Sequence, residues 1–216
     1  MATAEHDYII GLLKQETGIL GRMRKYAEEN SVPVVRADVA HLLSILVKNF
    51  LPGRILEAGA AIGYSAILMA LAIEPVQKAH IDTVELNMEM VIMSRRNIEQ
   101  ANLKNVTVRV IAGDCGEVFT CLENGYDMIF LDAAKGHYIE LYDDIKRLLN
   151  PGGLLVCDNV LFKGNTCKDP QQIKRKNRTI VINMRNFLDR ITKDPDFETT
   201  ILEAGDGVSV SVRNNA

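Results

Sequence analysis

A chain of 216 residues has room for one large domain. Its 47% apolar and 25% charged residues suit a globular enzyme with a packed core and exclude a low-complexity or disordered chain. No apolar run approaches the roughly 20 residues that span a bilayer. Met1-Ala2-Thr3-Ala4-Glu5-His6-Asp7 lacks the basic and apolar segments of a signal peptide, so a cytoplasmic protein without membrane association is expected.

In chain order, residues 1–50 read as helices broken around Asn30-Ser31-Val32-Pro33. They are too short for a separate domain and are expected to pack on a core of residues 51–216 as a lid or a dimer surface, giving one domain over 1–216. From residue 54, strand-like runs alternate with helical patterns. The expected strands are Arg54–Ala58, His80–Glu85, Val106–Ala112, Tyr126–Leu131 and Leu154–Cys157, with helices such as Ser65–Ile73 and Met88–Ala101 between them. This alternation predicts an α/β fold: a mostly parallel sheet with helices on both faces. Pro151-Gly152-Gly153 reads as a turn into the fifth strand. Phe197–Glu203 and Val208–Arg213, separated by Ala204-Gly205-Asp206-Gly207, read as a terminal antiparallel hairpin. Cys115, Cys121, Cys157 and Cys167 show no C-x-x-C spacing and read as reduced thiols, without disulfides or zinc.

In such a sheet, ligands bind outside the carboxyl ends of the strands. The first strand runs into Glu57-Ala58-Gly59-Ala60-Ala61-Ile62-Gly63-Tyr64-Ser65, whose glycines allow a tight turn and close approach to a ligand. It departs from the dinucleotide pattern G-x-G-x-x-G, with Ala61 and Tyr64 at the other glycine positions. Glu85 ends the second strand, where an acid can accept hydrogen bonds from ribose hydroxyls, and Asp114 follows the third, placed to reach an adenine edge. A helix N-cap or a solvated loop is the plain alternative for either acid alone. Asp132-Ala-Ala-Lys135 and Asp158-Asn159 follow the next two strands. Two carboxylates and an amide oxygen, without His or Cys, suit a hard divalent cation such as Mg²⁺. A lysine beside such a cation suits proton transfer.

On these residues the chain resembles the class I S-adenosylmethionine-dependent methyltransferases. More narrowly, it resembles the cation-dependent O-methyltransferases that include catechol and caffeoyl-coenzyme A O-methyltransferases. The resemblance covers roughly residues 30–213 and includes Asp206-Gly207 in the terminal hairpin. It implies a Rossmann-like, seven-stranded sheet. It further implies S-adenosylmethionine held by Glu57, Gly59, Gly63, Tyr64, Ser65, Glu85, Asp114 and Asp132. A divalent ion would sit on Asp132, Asp158 and Asn159, with Lys135 as general base. A homodimer joined through the N-terminal helices is also implied.

A cation held this way favours acceptors with two adjacent oxygens, as in catechols or 5-hydroxyuridine. Lys163, Lys168, Lys174, Arg175, Lys176, Arg178, Arg185, Arg190 and Lys193 follow Asn159 against few acids, in a chain of formal net charge −3. Such a patch is the footprint expected for phosphate contacts; a solvated helix face is the plain alternative. Asn159-Val160-Leu161-Phe162-Lys163-Gly164 and the basic segment after it resemble the bacterial tRNA 5-hydroxyuridine methyltransferases, which make 5-methoxyuridine in the anticodon loop. Small-molecule members more often carry Trp where Phe162 stands. The expected partner is therefore tRNA, with Lys163, Lys174, Arg175, Lys176 and Arg178 as RNA contacts, and the alternative acceptor is a small catechol-like phenol. An NAD-dependent oxidoreductase or a non-catalytic RNA-binding module are alternatives of other classes. Pro33-Val34-Val35-Arg36-Ala37-Asp38 departs from the family, and no contact is assigned to it.

Overall fold

The computed structural model describes residues 4–133 and 136–215. Five strands, β1 (Arg54–Ala58), β2 (Ala79–Glu85), β3 (Val106–Ala112), β4 (Tyr126–Leu131) and β5 (Leu149–Cys157), run parallel. β6 (Phe197–Leu202) and β7 (Val208–Arg213) complete the sheet in the order β3-β2-β1-β4-β5-β7-β6, with β7 antiparallel to both neighbours. The strand order reverses between β1 and β4, and the chain ends of these strands open a crevice there.

Side chains alternate along each central strand and supply two cores. Ile55, Ile81, Met128, Phe130, Leu154 and Val156 face one layer, formed by α2 (Gly18–Asn30), α3 (Ala37–Phe50) and α4 (Tyr64–Ile73), with α5 (Met88–Ala101) packed against it. Leu56, Ile129, Leu131, Leu155 and Cys157 face the other: α6 (Cys115–Cys121), α7 (Tyr142–Leu148) and α8 (Arg178–Lys193). Helix α4 is apolar almost all round because α3 covers it on one side and the sheet on the other. Helix α8 is two-faced, burying Val181, Met184, Phe187 and Ile191 at helical spacing. Among the described residues no helix is long and apolar enough to cross a membrane.

One expectation changes. Pro151-Gly152-Gly153 does not precede β5 but lies inside it. Tyr126 pairs with Leu149 and Met128 with Leu154, so the intervening residues bulge out of the ladder. Asp127 fixes the bulge by accepting from Asn150 Nδ2 at 2.9 Å. The same carboxylate accepts the backbone N–H groups of Gly53 and Arg54 and so ties β1 to β4.

The N-terminal helices are joined to the sheet through charge. Arg24 of α2 donates to both oxygens of Glu16, at 2.6 and 2.9 Å, and to Tyr64 Oη at 2.6 Å. Tyr64 Oη also donates to Glu16. Burial alone would raise the Glu16 carboxyl, but these donors outweigh it and hold the group below its ordinary value. Removing the guanidinium leaves a largely buried carboxylate without its cation. Arg24→Ala is expected to lower the free energy of unfolding by about 2–3 kcal/mol in urea titrations. A change within about 0.5 kcal/mol would show the network to be no more than a surface pair.

Candidate active site

Each of the central strands passes its register to the residue that follows it. Asp132 N donates to Ala58 O and Asp158 N to Leu131 O, both at 2.9 Å. Gly59 N donates to Val84 O at 2.9 Å and Gly113 N to Glu85 O at 3.0 Å. Gly59, Glu85, Asp132 and Asp158 are thereby set side by side at one sheet edge. They wall a cavity of about 870 Å³ together with Asp114 and Asn159.

Gly59 is there because nothing larger fits. Its φ is +98°, and a Cβ would lie 2.6 Å from Asp132 O. Glu85 is fixed by backbone donors at 2.8 Å, Asn87 N on Oε1 and Ala61 N on Oε2. One donor per carboxylate oxygen leaves acceptor capacity toward the cavity. Asp114 caps α6 through Gly116 N at 2.8 Å and also lines the same cavity.

The oxygen-rich end is built from Asp132, Asp158 and Asn159. Asn159 Nδ2 donates to Asp132 Oδ1 at 2.9 Å, and Asn159 N donates to Asp158 Oδ1 at 2.6 Å. Tyr138, fully buried, donates from one hydroxyl to Leu131 O at 3.0 Å and Asp158 O at 3.2 Å, clamping the ends of β4 and β5 together. Burial, reinforced by the nearby Asp132 carboxylate, drives the Tyr138 hydroxyl well above its usual range and keeps it a donor. Nothing in the sequence singles Tyr138 out. The terminal hairpin closes the other side. Val160 N and Leu161 N donate to Gly207 O and Asp206 O at 2.9 Å, and Lys163 N donates to Asp206 Oδ1 at 2.5 Å. These bonds hold Asn159, Phe162 and Lys163 at positive φ. Among the described residues no group of three or more His, Cys, Asp or Glu side chains could hold a metal; the candidate set is two carboxylates and an amide.

Four residues expected at the cofactor lie behind the loop rather than on the cavity wall. Gly63 has φ +84° and packs against Ser94. Tyr64 turns to Arg24 and Glu16, and Ser65 is buried at the start of α4. Glu57 shares the sheet face of Ile55 and accepts from Thr83 Oγ1 at 2.5 Å. Lys135 lies outside the described residues. Lys163, Lys174, Arg175, Lys176 and Arg178 are exposed and do not line the cavity. The start of α8, which follows them, packs on Gly136, where Asn183 Nδ2 donates to the backbone oxygen at 2.7 Å. Arg185 and Arg190 are engaged elsewhere, on the carbonyls of Thr166 and Lys168 and on Asp143 and the Tyr142 ring. The sequence missed the segment Ser31–Arg36, whose Val32, Pro33, Val34 and Arg36 line the cavity.

A seven-stranded, mostly parallel sheet closed by an antiparallel hairpin, with helices on both faces, defines a Rossmann-like α/β fold. The O-methyltransferase family model matches residues 12–214, and the chain belongs to that family. It is an S-adenosylmethionine-dependent O-methyltransferase. It is 31% identical to the catechol O-methyltransferase of Niastella koreensis over 163 residues, 73% of this chain and 72% of that one. It is similar to the O-methyltransferase from Bacillus cereus solved in complex with SAH, at 25% identity and TM-score 0.82, covering 99% and 98% of the two chains. A solved structure from Staphylococcus aureus superposes with TM-score 0.86 at 30% identity, covering 96% and 98%.

Burial pushes the Glu57 carboxyl up to about 7 from an ordinary 4.5, against the hydroxyls of Ser65 and Thr83 and with help from Glu85. The folded state therefore holds this proton more tightly than the unfolded chain. The associated stability is fully present below the ordinary value and is lost as pH rises through the folded value. In the cofactor-free protein, the unfolding free energy of wild type relative to Glu57→Gln is expected to fall by roughly 3 kcal/mol between pH 4.5 and 8. Parallel pH profiles in denaturant titrations would contradict it.

Proposed function

We propose that this enzyme is a divalent-cation-dependent O-methyltransferase whose acceptor is the 5-hydroxyl of 5-hydroxyuridine in the tRNA anticodon loop, giving 5-methoxyuridine. The observation that carries the first half is the oxygen-only donor set. Asn159 hydrogen-bonds to Asp132 through its amide and to Asp158 through its backbone N–H on one cavity wall, and these three are the residues that would hold a Mg²⁺-like ion. Such an ion would lower the pKa of an acceptor hydroxyl and orient it together with a neighbouring oxygen. S-adenosylmethionine supplies the electrophilic methyl group.

The chain's own residues do the rest. Glu85, held rigidly by two backbone donors, accepts from ribose hydroxyls, and Asp114 faces the adenine edge. Gly59 lets the loop backbone come close to the methyl donor. Lys135, three residues after Asp132, takes the acceptor proton as general base. Tyr138 and the Asp206-Gly207 turn keep the two carboxylates in place.

The tRNA acceptor is supported by the exposed Lys163, Lys168, Lys174, Arg175, Lys176 and Arg178. None of these forms an ion pair among the described residues, and the segment leads into the helix that packs on Gly136. An unstacked anticodon base can enter a pocket that a paired base cannot. A homodimer is consistent with helix α1 (Ala4–Leu12), which leaves Tyr8, Ile9 and Leu12 at least half exposed. A small catechol-like phenol is the second reading, favoured by the similarity to the Niastella koreensis catechol O-methyltransferase.

Mass spectrometry of nucleosides from hydroxyuridine-containing tRNA, incubated with enzyme, S-adenosylmethionine and Mg²⁺, is expected to show 5-methoxyuridine. EDTA or Lys135→Ala should abolish it. Reversing charge at Lys174, Arg175 and Lys176 should reduce tRNA methylation at least ~10-fold at physiological salt and spare catechol. Methylation of catechol alone would shift the acceptor to phenols. Full activity in EDTA would remove the cation.

A further inference from the structure

The cavity wall is strongly acidic, with Glu85, Asp114, Asp132, Glu140, Asp144 and Asp158 all on it. Among its described residues Arg36 is the single lysine or arginine. Its placement follows from the extended segment before α3. Val35 turns into the core, so Val34 and Arg36 on either side of it face the cavity. Arg36 is the N-cap of α3, with φ −63° and ψ 155°.

The side chain lies at the oxygen-rich end rather than the Glu85 end. A Cβ built on Gly205 would lie 3.5 Å from Arg36 Cδ and 3.9 Å from Asp158 Oδ1, so the arginine stem and the carboxylate flank one glycine. Gly205 N in turn donates to Asp38 Oδ2 at 2.7 Å. Asp38 Oδ1 stands 3.8 Å from Arg36 Nε, beyond hydrogen-bond reach, and His6 Nε2 takes one N–H from the guanidinium. Beyond that bond and the ion pair with Asp38, the remaining donors of the planar fork have no hydrogen-bond acceptor among the described residues, and the side chain is 49% exposed. A guanidinium steadied from behind, with free donors over a cavity, binds a carboxylate or a phosphate with directed, charge-assisted hydrogen bonds.

We propose that Arg36 is a specificity-determining residue that binds an anionic group covalently attached to the methyl acceptor. The inference rests on the O-methyltransfer reading of the cavity. The shared chemistry is an anion on the acceptor, whether the phosphate of a nucleotide or the carboxylate of a dihydroxyaryl acid.

Two substrate pairs separate these sources. One is 5-hydroxyuridine against its 5′-monophosphate; the other is catechol against 3,4-dihydroxybenzoate. The full-length enzyme is assayed with S-adenosylmethionine and Mg²⁺, and the readout is the ratio of kcat/KM for the anionic over the neutral member. Wild type is expected to favour the anionic member about 10-fold or more in at least one pair. Arg36→Gln should bring that ratio close to one, and Arg36→Lys should retain part of it. The pair that responds identifies the anion as phosphate or carboxylate. Because the ratio is internal to each protein, a variant that is merely less stable leaves it unchanged. A wild-type ratio near one, or a ratio that survives Arg36→Gln, overturns the inference while leaving O-methyl transfer intact. An unchanged ratio with a raised KM for S-adenosylmethionine assigns Arg36 to the cofactor carboxylate and also overturns it. If wild type methylates hydroxyuridine-containing tRNA but no member of either pair, an anion on the isolated acceptor does not direct recognition and the inference is overturned while O-methyl transfer stands. If the tRNA is not methylated either, the acceptor reading fails and the inference fails with it.

Discussion

The site depends on the parallel register of β1, β4 and β5. Ala58 pairs with Leu131, and Leu131 with Cys157, so the three strands end level with one another. The next residue in each case, Gly59, Asp132 or Asp158, emerges at one edge of the sheet. Slipping one strand by a residue would turn its outgoing carboxylate to the opposite face. The bulge at residues 150–153 therefore matters to the chemistry. It absorbs the mismatch at the start of β5 and leaves the functional end in step.

Around that edge the polar groups are held by donors that solvent does not easily displace. Backbone N–H groups fix Glu85, one tyrosine hydroxyl bridges the carbonyls of Leu131 and Asp158, and the terminal hairpin pins the chain after Asn159. Groups aimed in advance lower the reorganisation needed when charge develops on a reacting oxygen. The N-terminal helices join the same scaffold twice. Tyr64 at the start of α4 bonds to Arg24 and Glu16, and Asp38 accepts from Gly205 in the hairpin turn beside Asp158. The antiparallel hairpin thus serves as a brace between the helical extension and the oxygen-rich end of the cavity.

Much of this was legible in the sequence, because period-two and helical patterns, together with Gly and Asn at breaks, are local signals. They located every strand of the sheet, helix α5 ending at Ala101, the acid that ends β2 and the acids that follow β3 through β5. What stayed hidden depended on partners distant in the chain. Pro151-Gly152-Gly153 reads as a turn by composition, and only pairing with β4 makes it a bulge. Glu57 and Tyr64 sit in a ligand-loop pattern, yet the alternation of β1 sends Glu57 into the core. Tyr64 finds its partner at Glu16, 48 residues away. For Glu57 the clue was available, since it shares its face with Ile55. Arg36 and Tyr138 carry no local signature; their meaning comes from the cavity and from the two strand ends that Tyr138 joins.

We propose that one cavity holds the methyl donor at Glu85 and Asp114 and a divalent ion at Asp132, Asp158 and Asn159. Anomalous diffraction from crystals grown with Mn²⁺ and S-adenosylhomocysteine tests it directly. The account predicts a single manganese peak at about 2.1–2.3 Å from oxygens of those three side chains, with the adenosine along Glu85 and Asp114. Bound S-adenosylhomocysteine with no peak there, or with manganese on other residues, would contradict it.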